Sequence, residues 1–389
     1  MALLSPPYAL LISVTLIIVL VFRKINIALS LLVGAILYGA LTLDQSMVKA
    51  TVDSFNLQMI QTVVALMLSM FLADLYSSTS VSKSLVEGLE GLGPRFAAFA
   101  TPSVIGLLPM PGGAYISAVI VDPLYQEMNL KPDVKTFINY WFRHIWITTW
   151  PLYQGVILAS GILGIPAGHV TIMNIPITLA ATISGIIVCY REIRSWRSIN
   201  VGEKKIEKII HVWPFIAIAL LTLVLKVNLV VAIFATILIF MLIYKPGLKN
   251  MVSGLRYMFN PTFIGIVVFS FIFSKYIEES NVALSLKELL GPYAELAIFT
   301  IPLALVIGTG VEFTYIALAF PPLLPLLQSE DRLILGFLGG FTGAMVSPAH
   351  ACLVLSANYY KTELTKPYKL IIPASILTIT LTILYITLT

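Results

Sequence analysis

GLLPMPGGAYISAVIVDP, Gly106 to Pro123, is the stretch on which the fold turns. It lies in a long apolar region, yet it carries Pro109, Pro111, Gly112 and Gly113 almost side by side. Proline removes a backbone donor and glycine weakens a helix, so PMPGG breaks any helix that enters it. Open backbone inside a bilayer persists only where it is packed in protein or lines a cavity. The break therefore predicts a buried opening on which helix ends converge, in preference to a loop at the membrane surface.

The rest of the chain supports a membrane setting. Of its 389 residues, 58% are hydrophobic and only 11% charged, with a mean hydropathy of +0.95. A soluble domain is about 25% charged. No polar stretch is long enough to form a soluble domain, so one membrane unit is expected. The net charge of +5 needs no nucleic-acid partner, because the positive-inside rule produces such an excess. Cys189 and Cys352 lie in apolar runs and imply no disulfide framework. The first apolar run, Tyr8 to Phe22, lacks a basic leader and is followed by Arg23 and Lys24, so it reads as a retained helix.

Apolar runs predict spans over 8–22, 25–43, 58–79, 144–164, 171–190, 209–225, 228–244, 258–277, 333–356 and 366–388. Each is near the ~20 residues needed to cross a bilayer. Two further apolar regions, 96–124 and 294–327, are interrupted by PMPGG and by GTGVEFT. The pieces SVSKSLVEGLEGLGP and NVALSLKELLGP precede them and expose an internal repeat. KINIAL at Lys24 matches KVNLVV at Lys226, and Phe55–Asn56 matches Phe259–Asn260. Gly93–Pro94 matches Gly291–Pro292, Pro151 matches Pro348, and Pro176 matches Pro373. The offset holds near 200 residues throughout.

The expected organisation is a first repeat over 1–190, with three scaffold helices, a hairpin at 96–124, a broken helix at 133–164 and a last helix at 171–190. A linker at 191–208 leads to a second repeat over 209–389, with its hairpin at 294–327, broken helix at 333–356 and last helix at 366–388. If both interrupted regions are re-entrant hairpins, each repeat crosses about five times and the second is inverted. Lys and Arg then divide about 18 to 5 between the faces; if the regions span, the division is about 10 to 13. The charge rule thus selects an all-α polytopic protein of two inverted repeats, set in the cell (inner) membrane. The linker faces the cytoplasm and both termini face outside.

Inverted repeats with interrupted helices near the midplane are a signature of secondary transporters. Pro151 in TTWPLYQG and Pro348 in VSPAHAC each interrupt the helix after a hairpin. Half-helix N-termini present free N–H groups, which suits an anionic substrate. Freed carbonyls and the hydroxyls of Thr148, Thr149, Thr309 and Ser347 suit a cation.

This order of elements, with PMPGGAY and the paired breaks, resembles the ion transporter superfamily. That group includes the divalent anion–sodium symporters and the gluconate and citrate permeases. The chain is most similar to an uncharacterised prokaryotic integral-membrane family within it. The dicarboxylate branch carries Ser-Asn-Thr at both hairpin tips, where this chain has PMPGGAY and GTGVEFT. The resemblance implies an elevator-type carrier and a homodimer. The first three helices of each repeat form the scaffold, and the hairpins, broken helices and last helices form the moving unit.

Candidate substrate contacts are Pro111, Gly112, Gly113, Thr149, Pro151, Gly310, Glu312, Thr314, Ser347, Pro348 and His350. Candidate holders of a coupling ion, Na+ or H+, are Glu312, Thr148, Thr309 and Ser347, with sodium at the hairpin tips. No other cofactor is expected. Intramembrane ionisable groups are costly and usually functional, and Glu312 at the second tip is the foremost of them. It reads as a coupling or substrate contact ahead of a structural cap. His350 divides evenly between a site role and a bond to a freed carbonyl. Arg143 suits a carboxylate, but snorkelling to the inner headgroups is the favoured reading. Asp122 reads as solvated or as a cap. Trp141, Trp146, Trp150 and Tyr153 read as packing or interface residues.

The function expected is gradient-driven transport of a small carboxylate-type anion across the lipid bilayer by elevator-like alternating access. A passive channel or facilitator stands second. An intramembrane enzyme stands third, because the chain has no HExxH and no Cys/His metal cluster in sequence. His144, His169, His211 and His350 are too scattered along the chain to suggest a zinc site.

Overall fold

Helices begin and end where the sequence supplies caps and breakers. A computed structural model of the chain describes residues 3–109, 113–194 and 206–389, and no strand occurs among them. The first half holds α1 (Pro6–Phe22), α2 (Ile27–Thr42), α3 (Ser46–Ser54), α4 (Leu57–Ser78) and α5 (Ser80–Glu90). It continues with α6 (Pro94–Gly106), α7 (Gly113–Glu127), α8 (Pro132–His144), α9 (Gln154–Leu163) and α10 (Ala167–Arg194). The second half holds α11 (Trp213–Ala219), α12 (Leu229–Tyr244), α13 (Leu248–Met258), α14 (Pro261–Glu279) and α15 (Val282–Leu290). After these come α16 (Ala294–Thr309), α17 (Thr314–Leu318), α18 (Phe320–Leu323), α19 (Glu330–Val346), α20 (Ala351–Tyr359) and α21 (Tyr368–Leu388).

The same local devices recur at matched places in the two halves. Lys24 and Lys226 both turn into the left-handed region, with φ of 63° and 53°. Each is followed by a capping asparagine: Asn26 Oδ1 accepts from Ala28 N–H, and Asn228 Oδ1 accepts from Val230 N–H, both at 2.9 Å. Asn56 caps α4 and Asn260 caps α14 in the same way. Such a cap satisfies one of the donors left free at a helix start. Pro102 inside α6 has its counterpart in Pro302 inside α16, as Pro176 in α10 has in Pro373 of α21.

The packing of the halves is reciprocal as well. Hairpin arm α6 packs on α8, and α16 packs on α19. The return arm α7 crosses to α20 in the other half, while α17 crosses to α9. α4 packs on α12 and α13, and α14 packs on α2 and α3, while α10 pairs with α21. Glycines let the backbones approach. A side chain on Gly106 would run into the Arg143 carbonyl, and one on Gly339 into the Phe299 carbonyl. α3 and α13 are additions to the helices expected from apolar runs. Both are short and partly polar, so hydropathy alone does not reveal them.

Seven of the described helical segments are long and apolar enough to cross a membrane, and four further apolar helices are shorter. Leu179, Ile183 and Ile187 of α10 and Phe234, Leu238 and Leu242 of α12 are exposed. Continuous apolar surface of this kind is stable against lipid or another apolar surface rather than water. The chain is a helical membrane protein.

Candidate functional site

The site is built where two helices stop short inside the protein. α8 ends at His144 and the chain resumes as α9 at Gln154; α19 ends at Val346 and resumes as α20 at Ala351. Pro151 and Pro348 lie in the gaps, where their missing N–H groups remove no helical bond. A helix that ends in apolar surroundings leaves carbonyls needing donors. Side chains supply them here. Tyr140 Oη donates to the Ala344 carbonyl at 2.6 Å, and Tyr368 Oη donates to that of Val346 at 3.0 Å. Tyr153 Oη donates to the Arg143 carbonyl at 3.4 Å, and His144 Nδ1 lies 2.6 Å from the Tyr140 carbonyl.

The first gap carries Arg143 and His144 into the interior. Both are almost fully buried. Arg143 Nη2 donates to the Leu108 carbonyl at the first hairpin tip (3.4 Å), and Nη1 lies 3.9 Å from Cys352 Sγ on α20. Its Nε is buried with no partner among the described residues. Snorkelling is therefore overturned: the guanidinium is buried in protein, between hairpin 1 and α20, rather than extended to the surface. Two of the four histidines, His144 and His350, are not scattered either. His350, at the start of α20, places Nε2 3.3 Å from Nε2 of His144. Separation in sequence hid a pair that the crossing of the two gaps creates.

The second hairpin tip closes the other side. Gly310 ends α16 in the left-handed region at φ 68°, and a side chain there would meet the Ala349 backbone of the VSPAHAC gap. Thr309 Oγ1 and Thr314 Oγ1 are 2.8 Å apart, bonded also to the carbonyls of Leu305 and Val311. These hydroxyls fasten the turn. Ser347 Oγ donates to the Ile307 carbonyl at 3.0 Å and ties the tip to α19. Glu312 projects from this tip, partly buried, and interacts electrostatically with Arg143. No ion pair within 4 Å joins the two.

Of the remaining expected residues, Gly113 starts α7 and is buried, while Pro111 and Gly112 lie outside the described residues. Thr149 Oγ1 is bonded to Thr178 Oγ1 at 2.7 Å. Thr148 Oγ1 is buried without a partner among the described residues. Gly155, at the first turn of α9, faces Phe313 and Ile316 of hairpin 2, so the first gap also adjoins the second tip. Asp122 is not a cap: it lies within α7, partly buried, and pairs with Lys135 of α8 at 2.8 Å. Trp141 and Trp146 pack, giving their Nε1–H to the carbonyls of Ala181 and Ser103. The first-turn N–H groups of α9 and α20 receive no bond from the side chains of Tyr153 and His350, which precede them.

Sequence reasoning missed Cys352, Tyr140 and Tyr257. Tyr257 Oη donates to the Pro109 carbonyl of the first tip at 3.3 Å. Nothing local marks a lone cysteine or a helix tyrosine as a site residue; only the fold brings them in. A cavity of about 600 Å³ lies elsewhere, among Gln58, Thr62, Ile157, His169, Thr222 and Lys226, and none of the gap residues lines it.

The chain matches, over residues 5–389, a family described as Protein of unknown function (DUF401). No curated protein matches it.

Proposed function

The chain belongs to the DUF401 family, and from the geometry of its two helix gaps we propose that it is a secondary active transporter of a small carboxylate-type anion. The observation that carries this reading is Arg143. A buried guanidinium reaches one hairpin tip through Leu108, acts electrostatically on Glu312 at the other tip, and has an Nε with no partner among the described residues. A guanidinium held in this way suits a planar carboxylate. The first turns of α9 and α20 start in the same region and add N–H groups of matching sign.

The matched caps, prolines and reciprocal packing support two repeats, and the charge division supports their inversion. The hairpins, α8–α9, α19–α20, α10 and α21 would move as one unit against α1–α4 and α11–α14. Glu312 is the coupling residue in this reading, by carrying a proton or by holding sodium with freed carbonyls. Kinship with the ion transporter superfamily, inner-membrane placement and a homodimer belong to the same proposal. A channel would also use re-entrant segments, but helix breaks at matched places in two repeats favour a carrier.

A thermal-shift screen of small mono-, di- and tricarboxylates, with and without sodium, tests the binding half of the proposal. Stabilisation by a subset of them, lost in Arg143→Gln, is the expected result. No stabilisation by any carboxylate under either condition contradicts it.

A further inference from the structure

We propose that His144, His350 and Cys352 form a binding site for a borderline-soft divalent metal ion of the zinc type, at the crossing of the two helix gaps. Their ligand atoms all lie within 4.8 Å of one another, with both histidines buried and the cysteine half-buried.

The imidazoles already have the arrangement such an ion needs. His144 Nδ1 faces the Tyr140 carbonyl at 2.6 Å, so Nδ1 carries the proton and Nε2 presents its lone pair. Metal-bound histidines are oriented by this same outer contact. The two Nε2 atoms are 3.3 Å apart. Two nitrogens bound at about 2.0–2.1 Å to a tetrahedral ion stand about 3.3 Å apart. The rings meet nearly edge to face, at 87°, and do not stack. A plain imidazole pair also gives no reason for a third ligand atom to converge.

The sulfur completes the set. Arg143 Nη1 approaches Cys352 Sγ at 3.9 Å, and Glu312 acts electrostatically on the same atom. Loading releases the Cys352 proton to solvent, and the proton of His350 resides on Nδ1. The carboxylate and the thiolate offset the Arg143 charge, so a dication is admissible beside a guanidinium. Two nitrogens and a sulfur favour zinc-type ions over sodium, magnesium or calcium. Three protein ligands leave a fourth position open, as in exchangeable rather than purely structural sites. The inference rests on ligand geometry alone and stands apart from the transport reading.

The test uses the full chain in detergent, dialysed to equilibrium against Zn2+ and assayed for bound metal. About one ion per chain is expected, with affinity falling roughly tenfold or more in His144→Gln and in His350→Gln. His169→Gln and His211→Gln leave it unchanged. Co2+ replacing Zn2+ gives a thiolate-to-metal charge-transfer band that disappears in Cys352→Ser, a small change that keeps the fold readable if a histidine variant aggregates. Zn2+ binding no greater than in a variant carrying His144→Gln, His350→Gln and Cys352→Ser together, or a Co2+ spectrum without the thiolate band, overturns the proposal. Neither readout depends on uptake, so either proposal can fail alone.

Discussion

Arg143 Nη2 lies 3.4 Å from the carbonyl oxygen of Leu108, so the end of α8 is joined to the first hairpin tip by a buried cation. That bond fixes the guanidinium plane without using the whole of its donor fork. The remaining donors face the region shared by Glu312, His350 and Cys352.

Replacing Arg143 separates charge from geometry. A hydrogen bond to a charged group contributes about 1.5–3 kcal/mol, so Arg143→Gln lowers anion affinity roughly 10- to 150-fold. Arg143→Lys restores the charge but not the planar fork, and recovers only part of the loss. Titration of the stabilising carboxylate against melting temperature reads both. Unchanged affinity in the Gln variant removes Arg143 from the site.

The close approach of Gly106 to the Arg143 carbonyl makes a stability prediction. An added methyl group there must push hairpin 1 off α8, an overpacking cost of about 1–3 kcal/mol. Gly308, inside α16, accepts the same methyl group with nothing nearer than 3.9 Å. Gly106→Ala should unfold at a lower temperature than the parent and Gly308→Ala no lower. Equal melting of the two variants refutes the contact.

Much of the scaffold is legible in sequence because its causes are local. Asn26, Asn56, Asn228 and Asn260 cap the helices they precede, and Pro151 and Pro348 mark the gaps, because capping and helix breaking act within a few residues. The site is less legible because its causes are tertiary. His144 and His350 meet only where α8 and α20 cross, 206 residues apart in sequence. Arg143 reads as a snorkelling residue when only its distance from a helix end is known. Its burial follows from the hairpin packed over it, and that depends on Gly106. α3 and α13 escape hydropathy because they are partly polar.

Topology makes an independent prediction. The 191–208 linker carries the basic cluster that assigns it to the cytoplasm, although residues 195–205 lie outside those described. A cysteine introduced at Asn200 should react with an impermeant maleimide in inside-out vesicles and not in intact cells, measured against the parent with its native cysteines. Reaction in intact cells would reverse the orientation and remove the inverted repeat.

Glu312 divides coupling from binding. Glu312→Gln retains the shape and mimics the protonated acid, so exchange of anion across the membrane persists. Accumulation against a gradient is lost if the group carries protons; sodium dependence is lost if it holds sodium. Wild-type accumulation and ion dependence in this variant make the carboxylate a helix cap.

Uptake by the purified chain in proteoliposomes tests the central claim most directly. The labelled substrate is a carboxylate that stabilises the protein, supplied under an imposed sodium or proton gradient. The account predicts saturable accumulation above the external concentration, collapsing when the gradient is dissipated and absent in Arg143→Gln. Flux that equilibrates without accumulating or saturating, or no flux of any carboxylate that binds, contradicts it.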